Sequence, residues 1–361
     1  MLTVEIKRSL PDFKLDAAFS VDGEVLGILG PSGSGKTMTL LCIAGLLQPD
    51  YGLIKLNDRV LFDSSGKVNL PPKARNIGFV FQNYALFPHL TAGNNIAYGI
   101  RHQSRDEVNH RVQVLIKNME LDGLQNRYPQ QLSAGQQQRV AVARALAPEP
   151  EILLLDEPFS ALDSLTKEQL EMQILELRQF YKGHIILVTH DLVEAYRLSS
   201  RIAVYDAGKI IQCDRKDKLL SSPVNQKVAR MTRFKNFMDG VITSINDKQV
   251  GVNVPELGAN LQVAANGHKN LTINQSITIG VRSEHVQAVA AAGQNILRGT
   301  LNSAIENLAS INCYFDLKTN TNTNYCLEAA FPKSIAPTPA DGTNFYLYLP
   351  PEQIVIITDS K

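Results

Sequence analysis

The spacing of apolar and polar positions changes several times along the chain. Residues 3–7 and 13–19 alternate, which predicts the two strands of a hairpin, and residues 52–56 and 59–62 flank an Asn57-Asp58 turn signal. Residues 25–29 form a short, wholly apolar run, followed by a glycine-rich turn and a helix-like stretch from 36 to 47 that stops before Pro49. Residues 77–81, 152–155 and 185–188 are further strand-sized apolar runs, all far below the ~18 residues that a membrane span needs. Between 83 and 147 the pattern is mostly helical. Val108, Val112, Leu115 and Met119 fall at steps of three and four.

Strands alternating with helices predict an α/β domain on a mainly parallel sheet over residues 1–232, with an inserted helical subdomain at about 83–147. From 236 to 361 the chain turns to short strand-like segments broken by Gly, Asn and Pro, which predicts an all-β domain. Residues 224–237 read as a basic, polar, helix-like connector. A faint repeat runs through the second domain: Asn236 to Gly240 returns 59 residues later as Asn295 to Gly299. The expectation is two OB-like barrels, 236–290 and 295–361.

Composition narrows the classes. The chain has 361 residues, 44% of them hydrophobic and 20% charged, and a net charge of +1, so nothing favours a nucleic-acid partner. Residues 1–14 alternate apolar and charged positions and lack the basic start and apolar core of a signal peptide. Cys42, Cys213, Cys313 and Cys326 show no metal-ligand spacing, and are expected as buried apolar residues.

The strongest chemical signal is Gly30, Pro31, Ser32, Gly33, Ser34, Gly35, Lys36 and Thr37, a complete GxxxxGK[ST] loop between an apolar strand and a helix. Such a loop turns backbone N–H groups onto phosphate oxygens. The helix N-terminus adds positive potential, Lys36 meets the β- and γ-phosphates of ATP, and Thr37 ligates Mg²⁺. The second signal is the buried run 152–155 ending in Asp156 and Glu157. Asp156 is expected on the metal and Glu157 beside the attacking water as general base. Kinases, GTPases and helicases share both elements.

Leu132 to Arg144, with Ser133, Ala134, Gly135 and Gln136 at its start, resembles the signature loop of ABC ATPases. That resemblance covers about residues 2–232 and implies a RecA-like core with an antiparallel β-subdomain and a helical subdomain. Gln82 is similar to the family's Q-loop glutamine, near metal and water; residues 160–163, ending in Asp163, resemble the D-loop; His190 is similar to the switch histidine. Ser133 to Gln136 would then close on ATP held by a second copy, making a homodimer. The usual second glycine of the signature is Ala134 here. Phe13 is the nearest candidate for an adenine-stacking aromatic, with core packing as the alternative.

A single ATPase domain followed by a small β-domain resembles the ATPases of binding-protein-dependent importers, most like those for molybdate and tungstate. This implies TOBE-type barrels, an integral membrane permease docking at 82–90, and an indirect partner in an extracytoplasmic solute-binding protein. It also implies a place at the cytoplasmic face of the membrane and an oxyanion held by the C-terminal domain. The alternatives are sulfate, sugar, polyamine or iron import, and more distantly an ABC ATPase with no transport role.

Overall fold

The computed structural model describes residues 1–265, 271–317, 325–334 and 343–358, in two compact units that divide between Lys216 and Asp217. The division falls ahead of the expected boundary at 232. The helix Gln226–Met231 belongs with the second unit because its Ala229 packs on Phe234, Val355 and Ile357.

The first unit is built on one eleven-stranded sheet. Its parallel centre runs Arg201–Asp206, Val25–Leu29, His184–Thr189, Ile152–Asp156, Ile77–Val80, each strand hydrogen-bonded to the next. These central strands are buried on both faces, which is why they read as continuous apolar runs rather than alternations. The other half is antiparallel: Leu2–Leu10 pairs with Phe13–Val21 and with Tyr51–Leu56, which pairs in turn with Arg59–Asp63. One face of this half is solvated, and the sequence alternates accordingly. Two apolar clusters cover the sheet, one centred on the phosphate-loop helix, the other on the inserted helices.

The insertion is helical as expected. Ala92–Ala97, Arg105–Asn118 and Ala134–Leu146 are its helices, capped by the side chains of Thr91, Ser104 and Ser133. Ser104 and Glu107 form a complete capping box, as do Ser133 and Gln136.

Beyond the helix Gln226–Met231 the described residues of the second unit are β, in two five-stranded sheets. They are not two separate barrels. Val355–Ile357, at the end of the second repeat, pairs with Ser276–Val281 of the first; Gln287–Val289, at the end of the first repeat, pairs with Asn344–Tyr348 of the second. One continuous apolar core lies between the sheets. The repeat itself is real, and its two asparagines work reciprocally. Asn236 takes the Glu328 N–H on its Oδ1 and gives its Nδ2 to the Glu328 carbonyl, both at 2.8 Å. Asn295 treats Gln262 in the same way, at 2.7 and 2.6 Å, and adds the Leu349 carbonyl at 2.9 Å. Each repeat thus clasps the edge strand of the other. Both side chains are buried, so each clasp satisfies backbone groups that water cannot reach.

Candidate functional site

The phosphate loop joins the strand Val25–Leu29 to the helix Lys36–Ala44. Gly33 and Gly35 adopt φ of 76° and 100°, the left-handed region that an L side chain resists, so the loop needs glycine there. A Cβ on Gly35 would also stand 2.9 Å from the Phe13 ring. The far end of the helix is fixed by Arg75, which is wholly buried and donates to the carbonyls of Cys42, Ile43 and Leu70 and to Asn69 Oδ1. A guanidinium on the last carbonyls opposes the negative end of the helix and anchors the element that carries the loop.

Lys36 is 4% exposed. Its ammonium donates to Gly30 O at 2.8 Å and Pro31 O at 2.9 Å, and lies 3.9 Å from Glu157 Oε1. Desolvation lowers its pKa, against the opposing charges of Glu157 and Asp156. Thr37 Oγ1 donates to Asp156 Oδ1 at 2.9 Å. Burial raises the Asp156 pKa, with the Thr37 hydrogen bond and the Lys36 charge working the other way and Glu157 adding to the rise. A buried carboxylate and a hydroxyl at the surface facing one point would suit a hard divalent cation, which these two oxygens would help to hold.

Glu157 turns away from the strand with φ 44° and is 3.4 Å from His190 Nδ1. Gln82 Nε2 is 3.4 Å from Ser160 Oγ, whose hydroxyl donates to the Glu157 carbonyl at 3.0 Å. The structure therefore brings Lys36, Thr37, Asp156, Glu157, His190 and Gln82 together. A cavity of about 500 Å³ opens over the phosphate loop, lined also by Leu10, Phe13, Met38, Leu41 and Leu47. Phe13 is at the site, and Ser34 Oγ beneath it is a buried hydroxyl with no protein partner. Glycine cradle, orphaned hydroxyl, ammonium and apolar wall fit a nucleotide with its triphosphate on the loop.

The signature residues Ser133 to Gln136 do not line this cavity. They open the helix Ala134–Leu146, with Ser133 accepting from Gln136 N. Ala134 is exposed, whereas Gly135 is buried, and a Cβ there would overlap the Thr166 methyl. Thr166 in turn donates to Asp163, the cap of the helix Ser164–Phe180, at 2.6 Å. The signature and Asp163 are thus packed into one block.

Two further residues tie the parts together. Lys167 contacts Glu194 at 2.6 Å and Asp191 at 3.2 Å, linking the Asp163 helix to the turn after His190. Burial works to lower its pKa, and the hydrogen bonds and charges of Glu194 and Asp191 more than offset that. Arg144, on the signature helix, donates to Tyr84 O at 2.8 Å and Ala85 O at 2.7 Å and stacks on Phe87. Tyr84 and Ala85 have φ of 62° and 44°, so Arg144 holds two strained peptides of the 82–90 loop. Sequence reasoning missed Arg75, Arg144, Thr166 and Lys167, which belong to no loop motif. Arg144 did lie inside the signature stretch, and a cation two residues from that helix's end was the available signal.

A phosphate loop, an acidic strand end with His190 beside it, and the capped helix that follows Ser133 together define an ABC-type ATPase. Residues 16–160 match the family model described as ABC transporter. The chain is 42% identical over 240 residues to the sulfate/thiosulfate import ATP-binding protein CysA of Caulobacter vibrioides, covering 65% of this chain and 69% of that protein. It is 42% identical over 246 residues to the molybdate/tungstate import ATP-binding protein WtpC of Pyrococcus horikoshii (67% and 70%). Against the spermidine/putrescine import ATP-binding protein PotA of Trichormus variabilis it is 37% identical over 294 residues (79% and 75%). The dimeric, post-hydrolysis state of the ATP-binding cassette MJ0796, bound to ADP and Pi, superposes with a TM-score of 0.52 at 32% identity, covering 60% of this chain and 99% of that one. The chain belongs to the ABC transporter family, as an import ATP-binding subunit that couples ATP hydrolysis to transport.

Proposed function

We propose that the chain works as a homodimer beneath a separate membrane permease, at the cytoplasmic face, to import a tetrahedral oxyanion. The observation that carries the catalytic part is the convergence of Thr37, Asp156, Glu157 and His190 beside Lys36.

In this reading Lys36 exchanges the Gly30 and Pro31 carbonyls and Glu157 for the β- and γ-phosphate oxygens of ATP. Thr37 and Asp156 would hold Mg²⁺, whose charge would stabilise the transferring phosphoryl group. Glu157, released from Lys36, accepts a proton from water, and His190 orients the γ-phosphate end. Phe13 packs on the adenine. Ser133, Ala134, Gly135 and Gln136 of one protomer cover the ATP of its partner, with Asp163 beside them, because within one chain they do not line the cavity. Closing then moves the signature helix, and with it the 82–90 loop that Arg144 grips. That loop is a firm platform: Asn95, wholly buried, accepts from Phe87 N and donates to the carbonyls of Phe87, Leu90 and Thr91. Phe87 and Tyr98 pack with ring centroids 4.3 Å apart and planes tilted by 37°. An amphipathic helix of the permease would lie on it.

Molybdate or tungstate is the first solute to test and sulfate the second, with a polyamine as the alternative. The C-terminal unit is proposed to bind the same oxyanion as a regulator. Uptake of radiolabelled molybdate, sulfate and spermidine into vesicles holding the full transporter separates these readings, with Glu157→Gln as the inactive control. Spermidine uptake without oxyanion uptake would overturn the solute assignment. Calorimetry of the full chain with molybdate tests the regulator.

A further inference from the structure

The two clasps of the second unit are not equally filled. Beside the Asn236–Glu328 clasp stands Tyr325, three residues before Glu328 and on the inward row with buried Leu327 and Ala329. Its hydroxyl donates to Phe237 O at 2.7 Å, bridging the edge strand Tyr325–Pro332 to the strand Asn236–Ile245. In the related clasp Asn295 replaces Asn236 and Gln262 replaces Glu328, so the position three residues earlier is Ala259. Ala259 shares the inward row with buried Leu261 and Val263, and the counterpart of Phe237 is Ile296. Where the other repeat has a phenol ring, this one has a methyl group.

A cavity of about 440 Å³ stands at that place, with Ala259, Leu261 and Ile296 in its wall and Asn260, Arg298 and Asn344 at its polar side. We infer that it is a seat for a small phenol, or a planar ring of that size bearing a hydrogen-bond donor, which takes the position Tyr325 holds in the sister repeat. The ring lies on Ala259, Leu261 and Ile296, and its hydroxyl donates to the Ile296 carbonyl. The cavity exceeds one ring, so a polar substituent has room to reach Arg298, Asn260 or Asn344. An inorganic oxyanion would gather on Arg298 and leave the apolar wall without a use; a ring uses both. Occupancy would bridge the edge strand Ala259–Ala264 to the strand Ile296–Glu306, as Tyr325 bridges its own pair. This inference is independent of which solute is transported.

The test uses the full-length chain and p-cresol as the probe. Saturation-transfer NMR is expected to show binding with a dissociation constant of about 1 mM, ordinary for so small a ligand. Nuclear Overhauser contacts are expected from the ring to the Leu261 methyl groups. Ala259→Tyr rebuilds the sister arrangement; it is expected to raise the melting temperature and weaken p-cresol about tenfold or more. Ala259→Phe fills the seat without the hydroxyl and is expected to block equally. No saturation transfer to the wild-type chain, or binding that survives in both variants, would overturn the assignment. Contacts that map away from Leu261 would do so even if neither variant folds.

Discussion

Thr37 Oγ1 donates to Asp156 Oδ1 across 2.9 Å, so the end of the phosphate loop and the end of the neighbouring strand already face one point. Burial raises the pKa of this Asp156 carboxyl. A carboxyl whose folded pKa lies above its unfolded value contributes stability below the unfolded pKa and loses it as pH rises through the folded one. Ionised Asp156 therefore opposes the metal-free fold at neutral pH. Asp156→Asn is expected to melt higher than wild type without Mg²⁺ near pH ~7, with the gain shrinking toward pH ~4. Its Mg²⁺-dependent ATPase is expected to fall about 10²-fold or more. A lower melting point at neutral pH would contradict the burial argument.

Glu157 is the only carboxylate within reach of both Lys36 and His190 among the described ion pairs. Glu157→Gln keeps the shape and removes the base. Hydrolysis is expected to drop about 10²- to 10⁴-fold, with an ATP-bound dimer accumulating on size exclusion. A variant that stays monomeric with ATP and Mg²⁺ would count against the two-copy site.

Arg144 holds the strained carbonyls of Tyr84 and Ala85. Arg144→Ala leaves two carbonyls without a charged donor and is expected to destabilise the first unit by about 1–3 kcal/mol. ATPase of the isolated chain is expected to stay within about threefold, while stimulation by the permease falls about tenfold or more. Arg144→Lys, able to reach one carbonyl as a point charge, should recover part of the stimulation. Equal losses in both assays would mean that the residue merely supports folding.

Ala134 is exposed at the first turn of the signature helix, while Gly135 is the buried position against Thr166. Ala134→Gly is expected to change ATPase less than about tenfold and to cost about 0.5–1 kcal/mol of helix stability. Gly135→Ala must push Thr166 aside, and is expected to impair hydrolysis in the dimer far more. Steady-state ATPase of the two variants side by side decides it.

The clasps in the second unit can be ranked. Asn236 makes two backbone hydrogen bonds and Asn295 three. Each alanine variant is expected to cost about 1–3 kcal/mol in urea unfolding, Asn295→Ala the more. The reverse order would show that the third bond, to Leu349, contributes little.

Much of the first unit could be read from the residues because its chemistry sits on short local patterns. Gly30 to Thr37, the apolar strand ending at Asp156, and Ser133 followed by Gln136 each announce themselves within about one element. Arg75, Arg144 and Lys167 could not be read in the same way. Each is an ordinary cation whose partners lie on another element, and only the folded chain brings the carbonyls or carboxylates to it. The 59-residue repeat was visible, but it suggested two closed barrels. Strand exchange stayed hidden because pairing Val355–Ile357 with Ser276–Val281 is long-range and leaves the alternation of each segment unchanged. The packing of the connector helix was hidden for the same reason: Val355 and Ile357, the apolar partners of its Ala229, lie far along the chain.

That exchange also has a bearing on biosynthesis. The strand that completes the sheet of Ser276–Val281 is Val355–Ile357, which the chain supplies only after the whole of the intervening second sheet. Until residues 355–357 have emerged, the first unit can fold, but the second must wait with the sheet edge at Ser276–Val281 open. Emergence of residues 355–357, rather than synthesis of the first repeat, is then the event that closes the C-terminal unit. A truncation of even the final strand would leave an exposed template for pairing with another chain.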